Sequence, residues 1–243
     1  MARYFLEVAY KGTAYSGFQS QHNANTIQAE VEKAFAILQK QKIEMTGSSR
    51  TDAGVHALQN FFHFDYEGSI SPQFVYKINA ILPPDIVLKS FTPVSDEAHC
   101  RFDAVSREYR YYIYQHKNPF LDDRAYYFPY KLDIARMQDA AEIVKKYSDF
   151  TSFSKRNTQV KTFQCHILES KWYNVDNCLV YNVKANRFLR GMVRALTATM
   201  LRLGRCKIEM EEFQQIIEAK DCTKASFAVP ARGLFLEKIE FEY

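Results

Sequence analysis

The sequence predicts an α/β protein of the α+β kind, made of two ferredoxin-like β-α-β-β-α-β units with helices on one face of a mostly antiparallel sheet. Period-two runs of apolar and aromatic residues occur in both halves of the chain, and runs with helical spacing separate them. The order of the two kinds of run is roughly the same in residues 1–105 and 106–243, which are taken as an N-terminal and a C-terminal α/β unit. No Pro/Gly/Ser-rich linker marks the join.

Residues 3–10 alternate, with Tyr4, Leu6, Val8 and Tyr10 on one face, as in a half-buried strand. After a turn at 11–17, Ile27, Val31, Phe35 and Leu38 recur at helical spacing. Asn25, with Gln28 three residues on, has the form of a capping pair for that helix. The small-residue loop GSSRTDAGVHA at 47–57 follows. QNFFHFDY then reads as a strand with Asn60, Phe62, Phe64 and Tyr66 on one face and Phe61 and His63 on the other. Ser71 and Pro72 open a second helix bearing Phe74, Ile78 and Ile81. Pro83 and Pro84 stop it, and a strand at 86–91 closes this half.

The second half starts with the strand EYRYYIYQ and a helix near 133–147 carrying Met137, Ala141 and Val144. A hairpin of strands at 166–173 and 179–185 comes next, then a long helix over 187–203 and a C-terminal strand, LFLEKIEFEY. Segment 150–162 is polar and basic with little periodicity, and reads as a loop.

With 47% hydrophobic and 25% charged residues, 243 residues can bury a substantial core. A net charge of +4 and a pI near 8.7 are compatible with a polyanionic partner without requiring one. The five cysteines are widely spaced with no C-x-x-C pair, so neither a disulfide framework nor a zinc site is expected. No signal peptide and no run of about 18 apolar residues is found, so a cytoplasmic protein without membrane association is expected.

The phosphate-binding, dinucleotide-binding, zincin and nucleophile-elbow motifs are all absent. Any chemistry therefore falls to ordinary side chains. Asp52 has two readings: a turn residue before Gly54, or a carboxylate acting as nucleophile or general base. The second needs a cation. Arg50 lies two residues away, and Arg187, Arg190 and Arg194 are spaced three and four apart on one face of the expected long helix. Such a stripe is either a solvated face or an RNA contact. Lys155, Arg156 and Lys161 add charge nearby in sequence, and Tyr109, Tyr111, Tyr112 and Tyr114 offer rings for base stacking or for core packing. The six histidines are scattered, and structural or surface roles are expected for them, with packing favoured for His56 over orienting Asp52.

Taken together these residues resemble the tRNA pseudouridine synthase A family across nearly the whole chain. The matching parts, in order, are YKGTAYSGFQSQ (10–21), NTIQAEVEKAF (25–35), SRTDAGVHA (49–57), REYRYYIY (107–114), DFTSFSK (149–155), NRFLRGMVRALTATMLRLG (186–204) and AVPARGLFL (228–236). The resemblance implies an isomerase that converts uridine to pseudouridine at positions 38, 39 and 40 of the tRNA anticodon stem-loop. Its two α/β units would form a continuous sheet with a basic cleft. Asp52 matches the essential aspartate, Tyr109 the tyrosine that stacks on the target base, and Arg194 the arginine that pairs with the aspartate. Arg50 matches the residue that holds the flipped-out state, and Arg187, Arg190, Lys155 and Arg156 are assigned to RNA contacts.

The resemblance further implies a homodimer with tRNA as partner, no cofactor and no metal. The alternative is an RNA-binding protein of the same fold that is inactive or directed to another target. The chain departs from the family pattern at Phe18 (usually Trp), Ser49 (usually Gly), Gln59 and Asn60 (usually Gly-Gln), and Ala228 with Val229 (usually Thr-Ala).

Overall fold

The structure, a computed structural model, describes residues 1–68, 70–156 and 160–242. In chain order the elements are β1 (Ala2–Tyr10), α1 (Ile27–Gln39), β2 (Thr46–Gly47), β3 (His56–Tyr66), α2 (Phe74–Asn79), β4 (Ile86–Val94), β5 (Ala104–Tyr114), β6 (Tyr126–Tyr127), α3 (Ile134–Val144), β7 (Ile167–Val175), β8 (Cys178–Ala185), α4 (Met192–Gly204), α5 (Met210–Glu218) and β9 (Leu234–Phe241). The chain divides into two compact units, Met1–Val105 with Phe235–Tyr243, and Ser106–Leu234. The mixed α/β class with mostly antiparallel pairing agrees with the sequence. Pairs β1–β3, β1–β4, β2–β3, β5–β8 and β7–β8 are antiparallel, while β3–β9 and β5–β6 are parallel.

In the first unit the strand order is β4-β1-β3-β9, with β2 also paired to β3. The alternation expected in β3 is present: Asn60, Phe62, Phe64 and Tyr66 are buried on one face. The α1 residue Phe35 packs edge-on against Phe64 (5.2 Å), Tyr66 (5.6 Å) and the α2 residue Phe74 (5.5 Å), so this face is the helix side. The other face is closed by Phe5, Ala98 and Cys100 with Phe61, Val94 and Phe241.

In the second unit β8 lies between β5 and β7. Trp172 of β7 stacks on Tyr181 of β8 (4.9 Å) and donates its indole N–H to Met200 Sδ of α4 (3.3 Å), which seats that helix on the sheet. The β7–β8 hairpin turns at Asp176 and Asn177, both at positive φ (47° and 62°). This pair of left-handed residues matches the right-handed twist of the strands.

Four sequence expectations need correction. The cap of α1 is Thr26, whose hydroxyl accepts from Ala29 N–H; the Gln28 amide instead donates to Met45 O and Glu32. The long helix starts at Met192 rather than near 187. Gly191 holds φ +78°, which breaks the helical path, and Leu189 is buried ahead of it. Arg187 and Arg190 therefore precede the helix and form no stripe with Arg194. Segment 150–162 contains a 3-10 turn at Thr151–Phe153, anchored by fully buried Phe150 and Phe153; its residues 157–159 lie outside the described residues. Finally α5, which buries Phe213, Ile216 and Ile217, was not expected. Among the described residues no helix is long and apolar enough to cross a membrane.

Two outcomes follow from this packing. Phe35→Ala is expected to cost about 3–5 kcal/mol in urea unfolding, since the space left among three aromatic rings cannot collapse fully. Burial holds the His63 imidazole down at about 4, helped by the neighbouring His99 and Arg3. The unfolded chain thus takes up this proton first, at about 6.5, so His63's contribution to stability is complete above about 6.5. It declines as pH falls from there to about 4, and does not change below that. A His63→Gln variant is expected to flatten the pH dependence of stability in that window.

Candidate active site

Asp52 lies half-buried in the loop between β2 and β3, in a turn closed by Val55 N–H donating to Asp52 O (3.2 Å). The backbone before it is tied to a buried amide. Asn60 Oδ1 accepts from Ser49 N–H (3.3 Å), and Asn60 Nδ2 donates to Ser49 O (2.8 Å) and to the Tyr10 hydroxyl oxygen (3.1 Å). Tyr10 is in turn 2.8 Å from the hydroxyl of Thr51, the residue next to Asp52. Thr51 O accepts from Phe18 N–H (3.1 Å), so the turn after β1 is laced to the same loop.

The far side of the loop is fixed by close packing. A Cβ at Gly12 would run into the carbonyl oxygen of Val55, so only glycine lets the two backbones approach this closely. Gly12 N–H donates to His56 Nδ1 (3.2 Å), which assigns the ring proton to Nε2. His56 is buried and stacks on Phe235 at 4.5 Å.

Two departures from the family pattern find a local account. Asn60 supplies the side chain of the hydrogen-bonded bridge just described, which it makes to the backbone of residue 49. Phe18 stacks on Phe62 (4.6 Å) and lies against Gly47, where any Cβ would meet its ring. Arg50 projects from the same loop and is exposed.

The remaining expected residues belong to the second unit. Tyr109, on β5, is 9% exposed and packs edge-on against Phe188 (5.1 Å). Tyr111 and Tyr114 are buried as well, so these rings serve largely as core. The Tyr111 hydroxyl donates to Pro230 O (2.7 Å), and burial pushes its pKa far up. That bond fixes the strap carrying Val229.

Arg194, in the first turn of α4, donates from Nε (3.1 Å) and Nη2 (2.7 Å) to Val229 O. This two-pronged contact sets the plane of the guanidinium. Lys155 N–H donates to Arg190 O (2.9 Å), which brings two of the expected RNA contacts side by side. Arg156 and Arg190 are exposed and Arg187 is half-buried near Cys165. Burial raises the Cys165 thiol to about 11, against the opposing pull of Arg187, so it is no nucleophile at neutral pH. Among the described residues, no group of His, Cys, Asp and Glu is arranged to hold a metal ion.

Asn60, Tyr10 and Tyr111 were not singled out as supports by the sequence reading. Asn60 did carry a signal: it is an amide on the buried face of an otherwise aromatic strand, and such a group must have partners.

The chain is similar to known proteins along nearly its whole length. The tRNA pseudouridine synthase family model matches residues 7–103 and 147–242. The chain is 42% identical over 243 residues to tRNA pseudouridine synthase A of Parabacteroides distasonis, covering 99% of this chain and 96% of that one. It is 43% identical to the protein of the same name from Bacteroides fragilis (98% and 96% covered), and 37% identical to that of Staphylococcus aureus (98% and 90% covered). A family model spanning most of the chain, together with relatives matched end to end, shows that the chain belongs to the tRNA pseudouridine synthase family.

Proposed function

We propose that this enzyme isomerises uridine to pseudouridine at positions 38, 39 and 40 of the tRNA anticodon stem-loop, with Asp52 as nucleophile. The observation that carries the reading is the Asp52 turn: a half-buried carboxylate on backbone held by Asn60, Tyr10 and Gly12, in a chain of this family. A nucleophile held in place loses little entropy on reaching its transition state.

The target uridine must leave the helical stack, at a cost of a few kcal/mol, roughly, that protein contacts have to offset. Arg50, exposed on the same loop, holds the flipped-out state. In this reading Tyr109 stacks on the extruded base, and Arg194 is the cationic partner of Asp52. Asp52 attacks C1′ of the ribose or C6 of the base and the N1–C1′ bond breaks; the uracil turns and bonds to C1′ through C5, the bond to Asp52 breaks and frees its carboxylate, the C5 proton is lost, and N1 takes up a proton. The overall change is an isomerisation, with no net transfer of electrons or phosphoryl groups. Lys155, Arg156, Arg187 and Arg190 contact the RNA backbone, giving salt-sensitive binding. In this reading the protein works in the cytoplasm as a homodimer.

The test is tritium release from C5-labelled uridine in unmodified tRNA transcripts. Wild type is expected to release tritium, and Asp52→Asn to release none while binding tRNA within about threefold of wild type. Binding without release by the wild type would instead favour an inactive or differently targeted RNA-binding protein.

A further inference from the structure

The first unit carries a polar pocket of about 200 Å3, of whose lining the reaction described above uses Arg50 alone. Its lining includes Arg50 of the Asp52 loop together with Gln19, Glu44, His99, Arg101 and Phe102. The last three belong to a turn between β4 and β5 with a stiff design. Cys100 is fully buried, and its Sγ donates to Thr46 O on β2 (3.2 Å). The Asp103 carboxylate accepts from His99 N–H (2.7 Å), and His99 Nδ1 accepts from Arg101 N–H (3.1 Å).

The core thus anchors a turn whose tip leaves Phe102 74% exposed, with the Arg101 guanidinium 5.7 Å from the ring centre and the His99 ring at 4.2 Å. An exposed ring held on a rigid turn beside two guanidinium groups has the chemistry of a single-stranded nucleotide site. Rings of this kind accept the face of a base, and cations accept its phosphate. Because the turn is already ordered, binding pays little further conformational entropy. Pockets for drug-sized ligands run to about 300–1,000 Å3, so this smaller one fits a single flat group.

We propose that this pocket is a second nucleotide position for the RNA, taking an unstacked nucleotide beside the reacting uridine, with its base on Phe102 and its phosphate on Arg50 and Arg101. The inference rests on the reading of Asp52 as the nucleophile. Arg50 and Asp52 are two residues apart, at most ~7 Å of chain, so the two positions hold close neighbours in the RNA. Gln19 and Glu44 supply an amide and a carboxylate able to hydrogen-bond a base edge.

The test measures Kd for an unmodified tRNA transcript at several salt concentrations, using the full-length protein, beside wild-type tritium release. Phe102→Ala is expected to raise Kd about tenfold, and Phe102→Tyr to stay within about twofold of wild type. Arg101→Gln is expected to reduce the slope of log Kd against log salt by about one, as for the loss of one phosphate contact. An abasic nucleotide next to the target uridine should cost the wild type a similar factor and cost Phe102→Ala nothing more. Wild-type affinity and salt slope in both Phe102→Ala and Arg101→Gln would overturn the second position. A wild type that binds RNA but releases no tritium would overturn the enzyme reading instead, so the two failures are distinct.

Discussion

The carboxamide of Asn60, buried on β3, has both of its ends engaged: its oxygen accepts from Ser49 N–H, and its nitrogen donates to Ser49 O and to the Tyr10 hydroxyl. The backbone leading to Asp52 is thus held at Ser49 by a side chain, just after Ser48 N–H makes the last bond to β3, at Phe61 O. Each of these groups is shut off from water, and losing a partner costs roughly 1–3 kcal/mol per group left unsatisfied. The bridge thus fixes the path of the loop more firmly than an exposed turn would be fixed. Gly12 and His56 complete it from the other side, by a close backbone approach and a single hydrogen bond.

Much of the fold was legible because part of β3 shows a period of two. Phe62, Phe64 and Tyr66 alternate with less buried neighbours, and the Asp176–Asn177 pair between β7 and β8 supplies the residues most tolerant of positive φ. The failures have physical causes. Leu189 continues the apolar pattern of α4 backward past Gly191, and only the glycine's left-handed backbone reveals where the helix begins. Asn25 and Thr26 are both good caps, and sequence spacing alone favoured the wrong one. Helix α5 is one short amphipathic turn set, MEEFQQIIE, whose burial is decided by packing against its neighbours.

The site was legible in a different way. Asp52 and Arg50 could be read from one short motif because both lie on a single loop. The arginine stripe was not real: Arg187 lies in irregular chain ahead of the helix, Arg190 sits in the turn that enters it, and Lys155 meets Arg190 through a backbone hydrogen bond between distant segments. The tyrosines of β5 illustrate the ambiguity of a single residue type, since Tyr111 is core and support at once, its hydroxyl holding the strap that presents Val229 O to Arg194. Polar residues on apolar faces, Asn60 above all, were the informative exceptions.

The Asp52 loop is held in place before substrate arrives, and amide hydrogen exchange reads this residue by residue. With no RNA present, the Ser49 and Gly12 amides should exchange about 1,000-fold or more slowly than unstructured chain, and Asn60→Ala should selectively speed up Ser49. Exchange of Ser49 in the wild type within about tenfold of the unstructured rate would contradict the account, and would mean that the loop is ordered only by the RNA.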